Sequence, residues 1–167
     1  MSPRERRLRS DVRQMEELAA GGPVSFRADG DPPEVYHLML TGPGLALEQR
    51  GALSVRDLHR CSVYLHLDYP RRPPVVAWLT PVFHPNLLGP ERNGGVCIGS
   101  WSAAESLADL CVRLHELVTY RSLNPLDALD HDAAAWVRAH RISPGADVRQ
   151  LARLPLEQAA AVDLVNA

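Results

Sequence analysis

Residues 68–101 read DYPRRPPVVAWLTPVFHPNLLGPERNGGVCIGSW, and the point at which regular pattern gives out in this stretch decides the fold. Val75–Leu79 is a short apolar run entered through Pro73-Pro74, which predicts a strand. From Pro81 to Trp101, Pro81, Pro85, Pro90, Gly89, Gly94, Gly95 and Gly99 exclude regular structure across most of the segment. A loop this long in a small domain is usually functional or disordered. This one carries Phe83, Val96, Ile98 and Trp101, apolar groups that favour a packed loop.

Outward from that stretch the periodicities are plain. Upstream, Cys61, Val63, Leu65 and Leu67 alternate with Ser62, Tyr64, His66 and Asp68, the pattern of a half-buried strand. Val35–Leu40 predicts another strand, closed by Gly42-Pro43-Gly44, and Val24–Arg27 a shorter one. Before them, Leu8, Val12, Met15, Leu18 and Ala19 follow helical spacing, and Gly21-Gly22-Pro23 ends that helix. Downstream, Leu107, Leu110, Cys111, Leu114, Leu117 and Val118 form the stripe of a core helix. A third helix is expected over Asp132–His140 and a last one near Ala146–Leu164, after Ser143-Pro144-Gly145. The order is α+β: an N-terminal helix, a four-stranded antiparallel meander, a structured loop, then C-terminal helices. A single domain over residues 1–167 is expected from the length.

With 46% hydrophobic and 23% charged residues and a net charge of −2, neither nucleic acid nor a membrane is expected as a partner. No apolar run approaches the roughly 18 residues of a membrane span. The charged N-terminal residues have no hydrophobic stretch behind them, so a cytoplasmic protein is expected. All 18 basic residues are arginine, which, with abundant Ala, Leu, Gly and Pro, fits a GC-rich coding sequence.

Three cysteines without Cys-x-x-Cys spacing predict neither a disulfide framework nor a metal site, and no cofactor is expected. Cys111 lies on the apolar stripe of its helix, and Cys61 alternates with core positions of its strand, so both read as buried fillers. Cys97 differs, because it follows Asn93-Gly94-Gly95 inside the irregular loop.

The motifs around Cys97 occur in a recognisable order. They are Asp68-Tyr69-Pro70 with Pro73-Pro74, then His84-Pro85-Asn86, then Gly95-Val96-Cys97-Ile98, then Trp101-Ser102, then Asn124-Pro125-Leu126-Asp127. In this the chain resembles the ubiquitin-conjugating enzyme family over roughly residues 3–140. The resemblance implies a transferase that accepts a ubiquitin-like protein from an activating enzyme as a thioester on Cys97. It then passes that cargo to an amine on a target protein. Sulfur suits the task, since a thiolate both attacks and leaves well. No basic residue adjoins Cys97, Arg92 being the nearest in sequence, as suits an acyl carrier rather than a strongly activated nucleophile.

By the same resemblance, Asn86 donates to the oxyanion formed when the amine attacks, and Asp127 orients that amine and assists its deprotonation. His84 and Pro85 are expected to be structural. Arg4, Arg6, Arg7, Arg9 and Arg13 would meet an acidic surface of the activating enzyme. Cys97 follows Asn86 by eleven positions, and Arg71 and Ala103 stand where the family often carries ligase-contacting residues. The compact, lysine-free, GC-biased sequence looks most like bacterial members of the family, from antiphage conjugation pathways. Those pathways also contain an activating-enzyme-like protein, a ubiquitin-like protein and a deconjugating peptidase. Two other readings compete: a non-catalytic scaffold binding a ubiquitin-like protein or activating enzyme, and a Cys–His hydrolase using His84.

Overall fold

The computed structural model describes residues 1–156. Helix α1 (Pro3–Ala19) starts where Ser2 caps it, accepting the Glu5 amide, with Pro3 in the first turn where its missing N–H costs nothing. Strands β1 (Val24–Gly30), β2 (Pro33–Leu47), β3 (Leu53–Tyr64) and β4 (Val75–Trp78) form one antiparallel sheet in sequence order. Helix α2 (Leu107–Val118) follows the long loop. Its capping box, in which Ser106 and Asp109 satisfy each other's amides, is worth about 1 kcal/mol. Helices α3 (His131–Ala139) and α4 (Val148–Leu151) complete the described chain.

The expected fold class is the observed one, with three differences in extent. The strand expected from the alternation at 61–68 runs instead from Leu53 to Tyr64, so Leu65 and Leu67 lie beyond it and Leu67 is exposed. Gly42-Pro43-Gly44 does not close β2. The strand continues to Leu47, and the register slips between Thr41 and Gly44. The bulge is held by His59 of β3, whose Nε2 lies 2.9 Å from the Gly42 carbonyl oxygen. At Gly44 a Cβ would come within 2.7 Å of the His59 ring and 2.8 Å of the Val118 carbonyl oxygen, so only glycine fits there. The last helix is also shorter than expected. It stops at Leu151, and tight turns lead to Pro155, which could not donate the bond a continuing helix needs. The rest of that expected helix, beyond Leu156, lies outside the described residues.

Two apolar clusters flank the loop. One joins Leu8 and Met15 of α1, Leu38 and Leu40 of β2, Val63, Trp78, and Leu110 and Leu114 of α2. The other joins Leu45, Phe83, Tyr120, Trp136 and Val148 beneath α3 and α4. Leu87 belongs to the first cluster and Phe83 to the second, so the intervening His84-Pro85-Asn86 is anchored at both ends. Cys61 and Cys111 are fully buried in the first cluster, as their periodicity predicts. Burial pushes the Cys61 thiol up to about 12 and that of Cys111 well above its ordinary value, which leaves both unreactive.

A buried carboxylate ties α1 to the loops on its side. Asp11 accepts from Arg7 Nε at 3.0 Å, from the Tyr69 hydroxyl at 2.7 Å and from the Leu107 amide at 3.1 Å. Arg7 also donates to the Tyr69 oxygen and to the Ala103 and Glu105 carbonyls. Trp101 closes the same corner by donating its indole N–H to the Pro70 carbonyl at 2.8 Å.

Candidate functional site

The loop that carries Cys97 is pinned strand-like on one side. The Leu88 amide donates to the Gly95 carbonyl at 2.8 Å, and the Cys97 amide to the Asn86 carbonyl at 3.0 Å. Its other side meets the sheet, where the Trp78 amide donates to the Gly94 carbonyl at 2.8 Å. Gly94 has φ 66°, and any Cβ there would run into the Trp78 backbone, so the approach requires glycine. Beyond Cys97, Arg113 of α2 donates to the carbonyls of Ile98 at 3.0 Å and Ser100 at 3.1 Å. Its other nitrogen pairs with Glu105 at 3.0 Å.

Cys97 is half-buried, and its Sγ lies 3.4 Å from Asp127 Oδ2, within reach of an S–H···O contact. The structure thus brings together two residues separated by thirty positions, as the motif order anticipates. The Cys97 thiol is pushed above its ordinary value. Partial burial is the main cause, the Asp127 carboxylate adds to it, and the Gly99 amide works in the opposite direction. At neutral pH the sulfur is mostly protonated, so its surroundings do not make it a strongly activated nucleophile.

Asn86 is almost wholly buried, and both protons of its side-chain amide are taken. Nδ2 donates to the Asn124 carbonyl at 2.9 Å and to the Asp127 carbonyl at 3.0 Å, while Oδ1 accepts from the Asn124 amide at 2.8 Å. Both amide protons expected at the oxyanion therefore face backbone carbonyls of the segment that bears Asp127. In this geometry Asn86 is a brace for residues 124–127, and donation to an oxyanion requires one of these bonds to open.

His84 is fully buried against Tyr120, with ring centroids 4.8 Å apart. Its Nδ1 accepts from the Asn86 amide at 3.0 Å, and Nε2 lies 3.2 Å from the Ser122 carbonyl. The bonding partners assign the proton to Nε2. Both nitrogens are spent on backbone, so none is left to serve as base to Cys97, which removes the basis for a Cys–His hydrolase. Pro85 is also buried, and its carbonyl accepts the Leu129 and Asp130 amides at 2.8 and 3.0 Å.

Burial holds the His84 pKa down to about 4, against an ordinary value of 6.5. Because the folded value is the lower one, the unfolded chain takes the proton first. The stability tied to this group is complete above about pH 6.5 and is lost as pH falls toward 4, on the order of 3 kcal/mol in all. Urea unfolding of the wild type and of His84→Gln at pH 7.5 and pH 4 should show their difference shrinking by about that amount. Parallel pH profiles would refute the assignment.

The N-terminal arginines do not act as one patch. Arg4 pairs with Glu34 at 2.8 Å and donates to the Leu65 and His66 carbonyls. Arg7 is committed to Asp11 and its neighbours. Arg9 bridges Glu5 and Asp31, both at 3.2 Å. Arg6 and Arg13 are exposed and have no ion pair among the described residues. Of the five arginines expected to form a basic surface, Arg4, Arg7 and Arg9 are thus paired within the fold, and Arg6 and Arg13 are not.

Sequence reasoning overlooked Arg113, which props the loop after Cys97, and Glu116, which lines a cleft beside it. Both occupy polar positions between the apolar residues of α2, where periodicity signals exposure and says nothing of what the side chain meets. Arg92, the cation nearest Cys97 on the loop, pairs with Asp130 at 3.4 Å and so ties the loop to the N-terminus of α3.

The model of the family described as ubiquitin-conjugating enzyme matches residues 9–150. Ubiquitin-conjugating enzyme E2 2 of Candida glabrata is 27% identical over 144 residues, covering 84% of this chain and 79% of that protein. The protein of the same name from Saccharomyces cerevisiae is also 27% identical, with 84% of this chain and 77% of its own length covered. Among solved structures, the E2 domain of a Toxoplasma gondii ubiquitin conjugating enzyme matches with a TM-score of 0.60 at 19% identity, over 82% of this chain and 88% of that one. That last likeness is one of fold.

Proposed function

Since the chain belongs to the ubiquitin-conjugating enzyme family, a family of thioester-carrying transferases, we propose that Cys97 is its acyl acceptor and that Asp127 receives the incoming amine. The observation that carries this reading is the 3.4 Å approach of Asp127 Oδ2 to Cys97 Sγ at an open cleft. Transfer begins when the Cys97 sulfur attacks the thioester carbonyl delivered by an activating-enzyme-like protein. The delivering cysteine leaves with the proton, and a ubiquitin-like protein remains on Cys97.

A target amine then attacks the same carbonyl. A lysine amine is protonated at neutral pH, with an ordinary pKa near 10.4, so it must lose a proton to react. Asp127 stands beside the sulfur, where a carboxylate can hold the ammonium and take that proton. Asn86 acts as a positioning residue, holding the backbone at 124 and 127. Cys97 leaves as the thiol. A scaffold that had lost this chemistry would not need Cys97, Asp127 and the Asn86 brace in register.

The pathway is the finer part of the proposal. A bacterial antiphage conjugation system, with its own ubiquitin-like protein and deconjugating peptidase, rests on the sequence resemblance alone, the relatives above being yeast proteins. No helix among the described residues is long and apolar enough to cross a membrane.

The direct test is to mix the protein with its activating enzyme, ubiquitin-like protein and ATP, and to resolve the products with and without reductant. A reducible adduct is expected in the wild type, and it should vanish in Cys97→Ala. In Cys97→Ser it should become an ester that resists thiols. The chain has no lysine side chain, so carrier lysines cannot confuse the assignment. An adduct that survives Cys97→Ala would sink the proposal.

A further inference from the structure

The cleft beside Cys97 holds an acidic side chain that the chemistry above does not use. The cleft has a volume of about 180 Å³ and is lined by Cys97, Gly99, Leu117, Asn124 and Asp127, with Glu116 of α2 among its walls. Arg113, one helical turn before Glu116, would be its natural partner. Arg113 instead turns its Nη1 to the Ile98 and Ser100 carbonyls and its Nη2 toward Glu105, and it forms no ion pair with Glu116. Glu116 makes no side-chain hydrogen bond or ion pair among the described residues, yet it is partly buried. A carboxylate on a cleft wall with no cation in contact is free to pair with one that enters the cleft.

We propose that Glu116 determines cargo specificity by pairing with a cationic side chain in the C-terminal tail of the ubiquitin-like protein carried on Cys97. This rests on the thioester reading given above. The acyl chain on Sγ must leave the sulfur along some surface, and each extended residue spans about 3.3 Å. Gly99, Leu117 and Glu116 share the walls of that cleft with Cys97, so a chain leaving the sulfur through it meets small and apolar groups and one carboxylate without an ion pair. An attacking lysine needs only one point of approach, which Asp127 already occupies. Glu116 is thereby assigned to the tail rather than to the amine.

The test uses the protein alone with synthetic five-residue peptide thioesters of a small thiol. Both peptides end in Gly-Gly; one carries Arg at the third and fourth positions from the reacting end, the other Glu at those positions. Cys97 Sγ attacks the peptide carbonyl, the carbon–sulfur bond to the small thiol breaks, and that thiol departs with the proton. Intact mass gives the rate of loading. At low salt the wild type is expected to load the Arg peptide about three- to tenfold faster than the Glu peptide, the range of a partly exposed ion pair. Glu116→Arg should reverse the order, Glu116→Gln should abolish it, and high salt should flatten it.

Equal loading of both peptides by the wild type, with Cys97→Ala inert, overturns the Glu116 assignment and leaves the thioester reading standing. A tail preference unaltered in Glu116→Gln, with slower discharge of the loaded peptide to free lysine, also overturns it, by moving Glu116 to the acceptor side. Failure to load either peptide, while Cys97 still alkylates with iodoacetamide, counts against the thioester reading itself.

Discussion

Asp127→Asn is expected to make Cys97 a faster thiol and a slower transferase at once. The carboxylate sits 3.4 Å from Sγ and helps hold the thiol above its ordinary pKa. A unit charge near 4 Å in water-like surroundings is worth about 1 kcal/mol, so its removal raises the thiolate fraction about fivefold. Iodoacetamide should therefore alkylate the variant about fivefold faster at pH 7.5, where the wild-type sulfur is mostly protonated. Discharge of the loaded carrier to free lysine should move the other way. A positioned base is worth roughly a hundredfold or more, and its loss should appear in the discharge rate with loading intact. The discharge profile of the wild type should also rise at lower pH than that of the variant, which must wait for free amine near the ordinary lysine value. A variant that alkylates and discharges both more slowly would mean that Asp127 merely holds the loop.

The opposite signs matter because Asp127 is legible in the sequence as an acid after Asn124-Pro125, while its effect on the sulfur is not. The strand and helix periodicities expose most of the frame, because alternation and the three-to-four spacing record directly which side chains are buried. Gly42-Pro43-Gly44 misleads, since the same residues that make turns also make a bulge. What decides between them is His59 on the neighbouring strand, seventeen positions away from Gly42. The basic N-terminus misleads for a related reason. Charge is visible along a chain, whereas Glu34, which pairs with Arg4, lies thirty positions off, and the carbonyls of Leu65 and Glu105 to which Arg4 and Arg7 donate lie farther still. Arg113 and Glu116 were invisible as a pair for the same cause: nothing local records that one arginine is satisfied by a loop and the adjacent acid is left over.

Asn86→Ala should cut discharge to lysine on the order of a hundredfold while loading from an activated thioester stays near normal. The side chain makes three hydrogen bonds, all to backbone of residues 124 and 127, and is 2% exposed. Losing them leaves two carbonyls and an amide in a part-buried setting without their partner, at about 1–3 kcal/mol for each group not rescued by water. The segment bearing Asp127 then loosens, and amide exchange at Leu126 and Asp127 should accelerate in the variant. An oxyanion donor would give a similar drop in rate, since one such donor is worth about 2.7–4 kcal/mol in the transition state. The two roles separate in a double mutant. If Asn86 works by holding Asp127, then Asn86→Ala combined with Asp127→Asn loses little beyond the worse single variant, because both remove the same contribution. If Asn86 donates to the oxyanion independently, the two losses multiply. The occupied amide in this structure points to the first result. A multiplicative loss with unchanged exchange at Leu126 and Asp127 would show that one of its bonds opens during the reaction and turns to the acyl oxygen.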